Sequence, residues 1–335
     1  MAKKNSLIWS VNDMRVGKLT NEQLDRLILK KLKHNRREVV MSPGIGVDCT
    51  AVDIGNRLTI LSSDPITAAK TRIGSLSVNV CCNDAAASGA EPIGLMVTLL
   101  LPPEVTEDEI EELADELVRA ADNANVDIIG GHTEITNSVT RIVTSTTVIA
   151  REGKNGLISP RGMREGDALI MSKHAGLEGA NILADHMENV SAVLNQEEIE
   201  EAHTFAEMTC VVKEGLFAAD NGATAMHDAT EGGVLGACWE LAEASGIGLE
   251  LYRERIAIHP VTKKLCDAAG IDPMKLISSG CMLITCPDGE KMVQGLLELG
   301  ITAHVIGKAH GVGVRFSDGE IIQPPDADEL YKVIK

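Results

Sequence analysis

Asn83-Asp84-Ala85-Ala86-Ala87-Ser88-Gly89-Ala90-Glu91-Pro92 places two polar residues at the head of a run of small ones. The small residues reach back to about Gly74, so residues 74–88 read as a helix packed tightly against its neighbours. Inside such a helix Asn83 and Asp84 carry a desolvation cost unless something pairs with them. A metal ion or a nucleotide would do that, and so would a buried hydrogen-bonded partner. Downstream, Gly94–Leu101 is a nearly unbroken apolar run, hence a buried strand, stopped by Pro102-Pro103. Upstream, Arg57–Ser63 reads as a strand that delivers Asp64 to its exit, with Pro65 forbidding simple continuation.

Further from this centre the chain alternates strands and helices. Thr20 with Gln23 and Thr106 with Glu109 both have the spacing of a capping box. The second opens a helix with Ile110, Leu113, Leu117 and Val118 on one face and acids opposite. Asp127–Ile129 reads as a short strand that breaks at Gly130-Gly131 and presents His132, Thr133 and Glu134 together. Arg141–Ala150 is another strand, rich in β-branched residues. Residues 151–166, with Gly153, Gly156, Pro160, Gly162 and Gly166 among charges, read as a linker. It separates an N-terminal domain (1–150) from a C-terminal α/β domain (167–312) and a tail (313–335). In that second domain Ala168–Met171 is strand-like, and Gly179–His186 and Glu197–Asp220 are helix-like. A turn-to-helix follows at Asp228–Ala244, then strands near Leu283 and Val305. Because each half mixes strands and helices, α+β sandwiches are expected over a doubly wound sheet.

The composition bounds the function. The 335 residues suit two domains, with 44% hydrophobic and 24% charged residues but only 2% aromatics, so aliphatic side chains must fill the cores. With 31 Lys+Arg against 49 Asp+Glu the formal charge is −18, a field that repels nucleic acid and anionic lipid. No apolar run has the ~18–20 residues of a membrane span. The eight cysteines form no CxxC pair and lie mostly in apolar stretches, which reads as reduced, buried thiols in a cytoplasmic protein.

Five segments set carboxylates, or the hydrogen-bonding loops beside them, where binding groups collect at strand and helix ends. They are Gly44-Ile45-Gly46-Val47-Asp48, Ser63-Asp64, Asn83–Pro92, Gly130-Gly131-His132-Thr133 and Asp228-Ala229-Thr230-Glu231-Gly232-Gly233. Each alone also reads as a turn, a cap or a buried polar pair. Glycines allow close backbone approach to a phosphate, and the helix after Gly233 offers an N-terminus to an anion. In this order the segments resemble the aminoimidazole-ribonucleotide-synthetase-like superfamily, over roughly residues 40–312. That group includes selenophosphate synthetase, thiamine-monophosphate kinase and the hydrogenase maturation factor that dehydrates a carbamoylated cysteine.

The resemblance implies a two-domain α/β fold whose N-terminal strands form a barrel across a homodimer. It also implies ATP with Mg2+. By motif position the metal would lie on Asp48, Asp64 and Asp84, and the nucleotide on Gly44, Gly46, Asn83, Gly130, Gly131, Thr133 and Asp228. Lys70 would add a cation near the phosphates, or is a solvated lysine. His132 would carry a proton, or is a satisfied structural histidine. Four departures shape the expected chemistry. Val47 replaces the first of an acidic pair, and His132 stands where thiamine-monophosphate kinase has an aspartate. Nothing before Pro43 resembles the reactive segment of selenophosphate synthetase. The cadence is nearest the maturation factor, which needs a C-terminal cysteine, whereas this sequence ends Tyr331–Lys335 and has its last cysteine at Cys286. The expectation is an ATP-dependent enzyme related to that factor, activating the oxygen of a small-molecule or protein acceptor by phosphoryl transfer. The alternatives are a nucleotide-binding accessory protein acting through a partner and a thiamine-monophosphate-kinase-like phosphotransferase.

Overall fold

The computed structural model describes residues 39–41, 44–47, 49–53, 55, 57–67, 69, 71–324 and 327–334, with Asn21, Glu22 and Asp25. The chain divides into two units, residues 1–33 and 34–335, and both sheets belong to the second. The capping pair Thr20 and Gln23, Asp48 and Lys70 lie outside the described residues.

Ile73–Ala87 forms α1, the helix expected from the run of small residues. It is buried on nearly every side, which a helix tolerates only when its side chains are small or paired. Added bulk would collide at once: a Cβ on Gly74 would lie 2.7 Å from the Leu113 carbonyl, and one on Gly215 would lie 2.7 Å from that of Ala86. Gly89 ends the helix in the left-handed conformation at φ 68°.

On one side of α1 stands a sheet of β1 (Val39–Met41), β2 (Thr50–Asp53), β3 (Leu58–Ile66), β4 (Glu91–Leu101), β5 (Asp127–Ile135) and β6 (Val143–Arg151). Its order is β1-β2-β3-β6-β4-β5, antiparallel except for the parallel β4–β5 pair. That pair is joined through α2 (Glu107–Ala124), whose capping box is present: Thr106 Oγ1 accepts from Glu109 N, and Glu109 Oε2 accepts from Thr106 N at 2.8 Å.

Two strand limits differ from the sequence reading. β3 runs through Asp64 and Pro65 to Ile66, because β2 pairs it only as far as Leu61. Beyond that point the strand has one partner, β6, so an imino nitrogen leaves no ladder bond unmade. β5 does not break at Gly130-Gly131 but continues to Ile135. The glycines serve close approach instead: Gly131 has φ 149°, and a Cβ there would lie 1.8 Å from the Val97 oxygen. A bulge between Leu95 and Met96 accompanies this contact.

On the other side of α1 lies the second sheet, β7 (Ala168–Ser172), β8 (Ala225–Ala229), β9 (Leu249–Leu251), β10 (Cys281–Cys286), β11 (Ala303–Ala309), β12 (Val314–Phe316) and β13 (Ile321–Ile322). Its order is β13-β12-β9-β11-β7-β10-β8, with only β9–β12 parallel among the described pairs. Around it pack α3 (Leu177–His186), α4 (Gln196–Thr204), α5 (Val212–Asp220), α6 (Gly233–Ser245), α7 (Pro260–Ala269) and α8 (Gly289–Glu298). The single helix expected over 197–220 is therefore two, interrupted at residues 205–211. One core runs through α1 into both halves, joining Ile60, Leu95 and Val148 to Val212, Met226 and Ile284.

Candidate active site

Alternation along β3 turns Ser62 and Asp64 toward α1 while Ser63 faces the open side of the sheet. Across from them α1 presents Asp84 and Cys81. Ser62 Oγ donates to Asp84 Oδ2 at 2.5 Å and lies 3.4 Å from Asp64 Oδ2. A hydroxyl has one proton, so it satisfies one carboxylate while touching both. Cys81 Sγ donates to the Thr146 carbonyl at 3.0 Å and lies 3.7 Å from Asp64 Oδ2. Burial, then the charges of Asp64 and Asp84, push the Cys81 thiol far up, so it is a protonated donor and no nucleophile. Asp64 and Thr146 are register partners, and the Thr146 hydroxyl is buried with no partner among the described residues. The half-buried Asp64 and the buried Asp84, Ser62 and Thr146 thus stand on facing or adjacent elements, a set of hard oxygens suited to a small divalent cation. Among the described residues no three His, Cys, Asp or Glu side chains are grouped closely enough to hold a metal on their own.

Asn83 faces the other way. Its Nδ2 donates to the Thr209 carbonyl and its Oδ1 accepts from Val211 N, both at 2.8 Å. The residue clamps α1 to the break between α4 and α5. Lys173, just past β7 at φ 54°, holds the same segment from the second half. Its ammonium reaches the carbonyls of Met208 and Cys210 at 3.0 and 2.6 Å and Glu214 Oε1 at 2.7 Å.

Gly44 and Gly46 belong to a tight turn closed by the Gly44–Val47 bridge. That turn lies against the second half: a Cβ on Gly46, at φ 66°, would lie 2.7 Å from the Glu240 carbonyl of α6. A Cβ on Gly44 would lie 3.0 Å from the guanidinium of Arg161, a cation that nothing in the sequence singles out.

Gly130, Gly131, His132 and Thr133 sit on β5, which is exposed along its whole length. Gly131 occupies the same row as Asp64, through Val97 and Thr146, but three strand spacings away, roughly 14 Å along the sheet. Within one chain these residues are not brought to the carboxylates. His132 Nε2 lies 3.2 Å from Glu134 Oε2 on the open surface.

Asp228 is buried near the end of β8. The turn after it leads to Gly232 and Gly233, both at positive φ, and a Cβ on Gly233 would lie 2.5 Å from the Met274 carbonyl. The anion expected at the start of α6 is supplied by the chain: Asp328 Oδ2 accepts from Gly232 N at 2.7 Å. Nearby, burial pushes the Glu178 carboxyl from 4.5 up to about 7, against the hydrogen bonding of Ser279. Its folded pKa lies above the unfolded one, so the folded state holds the proton more tightly and stability falls as pH rises from about 4.5 to about 7. Glu178→Gln is expected to remove that slope. The variant should match the parent near pH 4 and exceed it at pH 8 by up to about 3 kcal/mol. Urea unfolding at both pH values reads this, and an unchanged slope would mean that Glu178 is ionised in the folded protein.

Two family models cover most of the chain: the N-terminal domain of AIR synthase related proteins matches residues 46–151, and their C-terminal domain matches residues 164–317. The chain belongs to the AIR synthase related family. A protein of Methanocaldococcus jannaschii, provisionally named a hydrogenase expression/formation protein, is 29% identical over 95% of this chain and 97% of its own length. The carbamoyl dehydratase HypE of Cupriavidus necator is 26% identical over 74% of this chain and 68% of its own. Among solved structures, AaThiL complexed with AMPPCP and TMP superposes with a TM-score of 0.74 at 18% identity, covering 94% of this chain and all of that one. This AIR synthase related chain therefore has the two-domain mixed α/β fold of its family and HypE-type relatives. Among the described residues no helix is long and apolar enough to cross a membrane.

Proposed function

We propose that the protein binds ATP with Mg2+ where β3 faces α1 and uses it to activate an acceptor oxygen by phosphoryl transfer. The observation that carries this is the Ser62-bridged pair of Asp64 and Asp84 beside the orphaned Thr146 hydroxyl. Asp48 is assigned as a third carboxylate from its motif. Bound Mg2+ would neutralise the polyphosphate, which a chain of charge −18 otherwise repels. The residues divide the remaining work. Arg161, over the Gly44–Gly46 turn, meets the phosphates, with Lys70 as a second cation by sequence position. Asp228, buried near the end of β8, is assigned to the nucleotide from its motif. Asn83, with both ends of its amide engaged, holds the 209–211 segment in place.

We assign β5 to a homodimer. Its edge and the apolar Ile93, Met96, Ile128, Ile129 and Ile135 near it are exposed, an unusual load for a surface strand. A second copy pairing there would close the sheet into a barrel and carry Gly130–Thr133 toward a partner's carboxylates, with His132 as proton carrier.

The acceptor class follows from the relatives. The name carbamoyl dehydratase points to an amide-type oxygen, which phosphorylation converts into a leaving group. None of the eight cysteines is exposed, so the group acted on arrives from another molecule. The ThiL neighbour, solved with AMPPCP and TMP, keeps phosphate-ester phosphorylation as the competing reading, carried by fold alone. Purified protein with ATP and Mg2+ is to be offered carbamoyl-bearing acceptors and thiamine monophosphate in turn. ADP or AMP formed only with a carbamoyl acceptor is the expected result. Tight Mg-dependent binding without turnover would make the protein an accessory factor, and no Mg-dependent binding would end the reading.

A further inference from the structure

Lys173 holds a positive φ of 54°, one of four residues other than glycine to do so among the described residues. A glycine would take that backbone without strain, so the side chain contributes something a glycine lacks. The Lys173 amide donates to the Thr302 carbonyl at 2.7 Å, which fixes the backbone just past β7 and delivers the ammonium to one place.

There it meets three oxygens and little water. The Met208 and Cys210 carbonyls lie at 3.0 and 2.6 Å and Glu214 Oε1 at 2.7 Å. The lysine side chain is 13% exposed and that of the glutamate 2%. Two carbonyls and a carboxylate are a ligand set for a desolvated cation: the carbonyls replace part of a hydration shell, and the carboxylate balances the charge. An ammonium group and a potassium ion carry the same charge and are of nearly one size.

The oxygens are also held without the lysine. Thr209 lies between the two carbonyl residues, and its hydroxyl accepts from Asn79 Nδ2 and donates to the Ala206 carbonyl, both at 2.8 Å. Asn83 engages the Thr209 carbonyl and the Val211 amide. Gly280, just before β10, comes so close that a Cβ on it would lie 2.8 Å from the Met208 carbonyl. Glu214 stands in the first turn of α5, with Oε1 also 3.4 Å from the Ser172 hydroxyl. Removing the lysine side chain would therefore leave an oxygen-lined, negatively charged space with its walls in place.

We propose that the oxygens of Met208, Cys210 and Glu214 form a monovalent-cation site that the chain fills with its own lysine. A tethered occupant cannot dissociate, so the 208–211 segment keeps its shape whatever salt surrounds it. The site is separate from Asp64 and Asp84 and does not depend on a nucleotide binding there.

Thermal melting of the full chain tests this, in the chlorides of potassium, ammonium, lithium and tetramethylammonium at one ionic strength. The parent should melt alike in all four. Lys173→Gly leaves Glu214 buried without its cation, and in tetramethylammonium chloride it should melt roughly 5 °C or more below the parent. Potassium or ammonium should return at least about half of that loss. Lithium, small and tightly hydrated, should return little. Lys173→Met fills the same space with an apolar chain, so it should lose stability that no cation restores. Refolding yield from urea in the same four salts gives the same discrimination should Lys173→Gly be too unstable to melt cleanly. The proposal is overturned by a Lys173→Gly variant that melts with the parent in tetramethylammonium chloride. It is equally overturned by recovery in all four salts alike, by recovery of Lys173→Met, or by no recovery in potassium and ammonium.

Discussion

Asp84→Asn is expected to weaken Mg-dependent ATP binding by ~100-fold or more while the protein melts no lower than the parent. A nucleoside triphosphate brings about four negative charges, and only a divalent cation lets it rest beside carboxylates. Asparagine keeps the volume of Asp84 and an oxygen for the Ser62 hydroxyl, so the β3–α1 contact survives. What is lost is the charge that would hold the cation. Folding gains slightly, because Asp84 no longer stands in buried ground beside Asp64. Calorimetric titration with ATP, with and without Mg2+, together with thermal melting, reads both quantities. Unchanged affinity would remove Asp84 from the site, and lost affinity with collapsed stability would make it a structural residue.

Gly131→Ala should destabilise the protein by at least ~3 kcal/mol, whereas Gly130→Ala next door should cost under ~1 kcal/mol. The contrast is geometric. A methyl on Gly131 would sit 1.8 Å from the Val97 oxygen, a backbone atom that cannot turn aside, at a φ of 149° that L-residues rarely adopt. At Gly130 the nearest atom is the Met96 sulfur at 3.1 Å, the end of a flexible side chain. Urea unfolding of both variants gives the two values. Equal, small effects would mean that β5 is not held against β4 as described, and the dimer assigned to its edge would lose its support. Light scattering on the same samples shows whether assembly follows β5.

Much of the candidate site is legible in the sequence because its acids lie within short, recognisable signals. Ser63-Asp64 follows an apolar run, and Asn83-Asp84 interrupts a small-residue helix. Thr146 gives no signal, since a buried threonine in a β-branched strand is unremarkable until register sets it beside Asp64. Arg161 lies in a charged, glycine-rich connection, and Asp328 acts on Gly232 from 96 residues further along the chain. The limits that differ have physical causes. Pro65 reads as a stop because the one-sided pairing of β3 at that point depends on where β2 ends. The glycines of β5 look like a break because local sequence does not show a neighbouring strand's carbonyl. Residues 197–220 carry a helical pattern throughout, but Lys173 and Asn83 draw the 208–211 backbone into tertiary hydrogen bonds that an unbroken helix would need for itself.

Asn83 and Asp84 are neighbours on one rigid rod and serve opposite sides of it. On the proposed reading, a cation held at the acid and the grip on the loop behind it would share one helix, and any coupling between them would run equally both ways. The lysine on the far flank of that loop would then retune the affinity by the same factor that capture changes the grip.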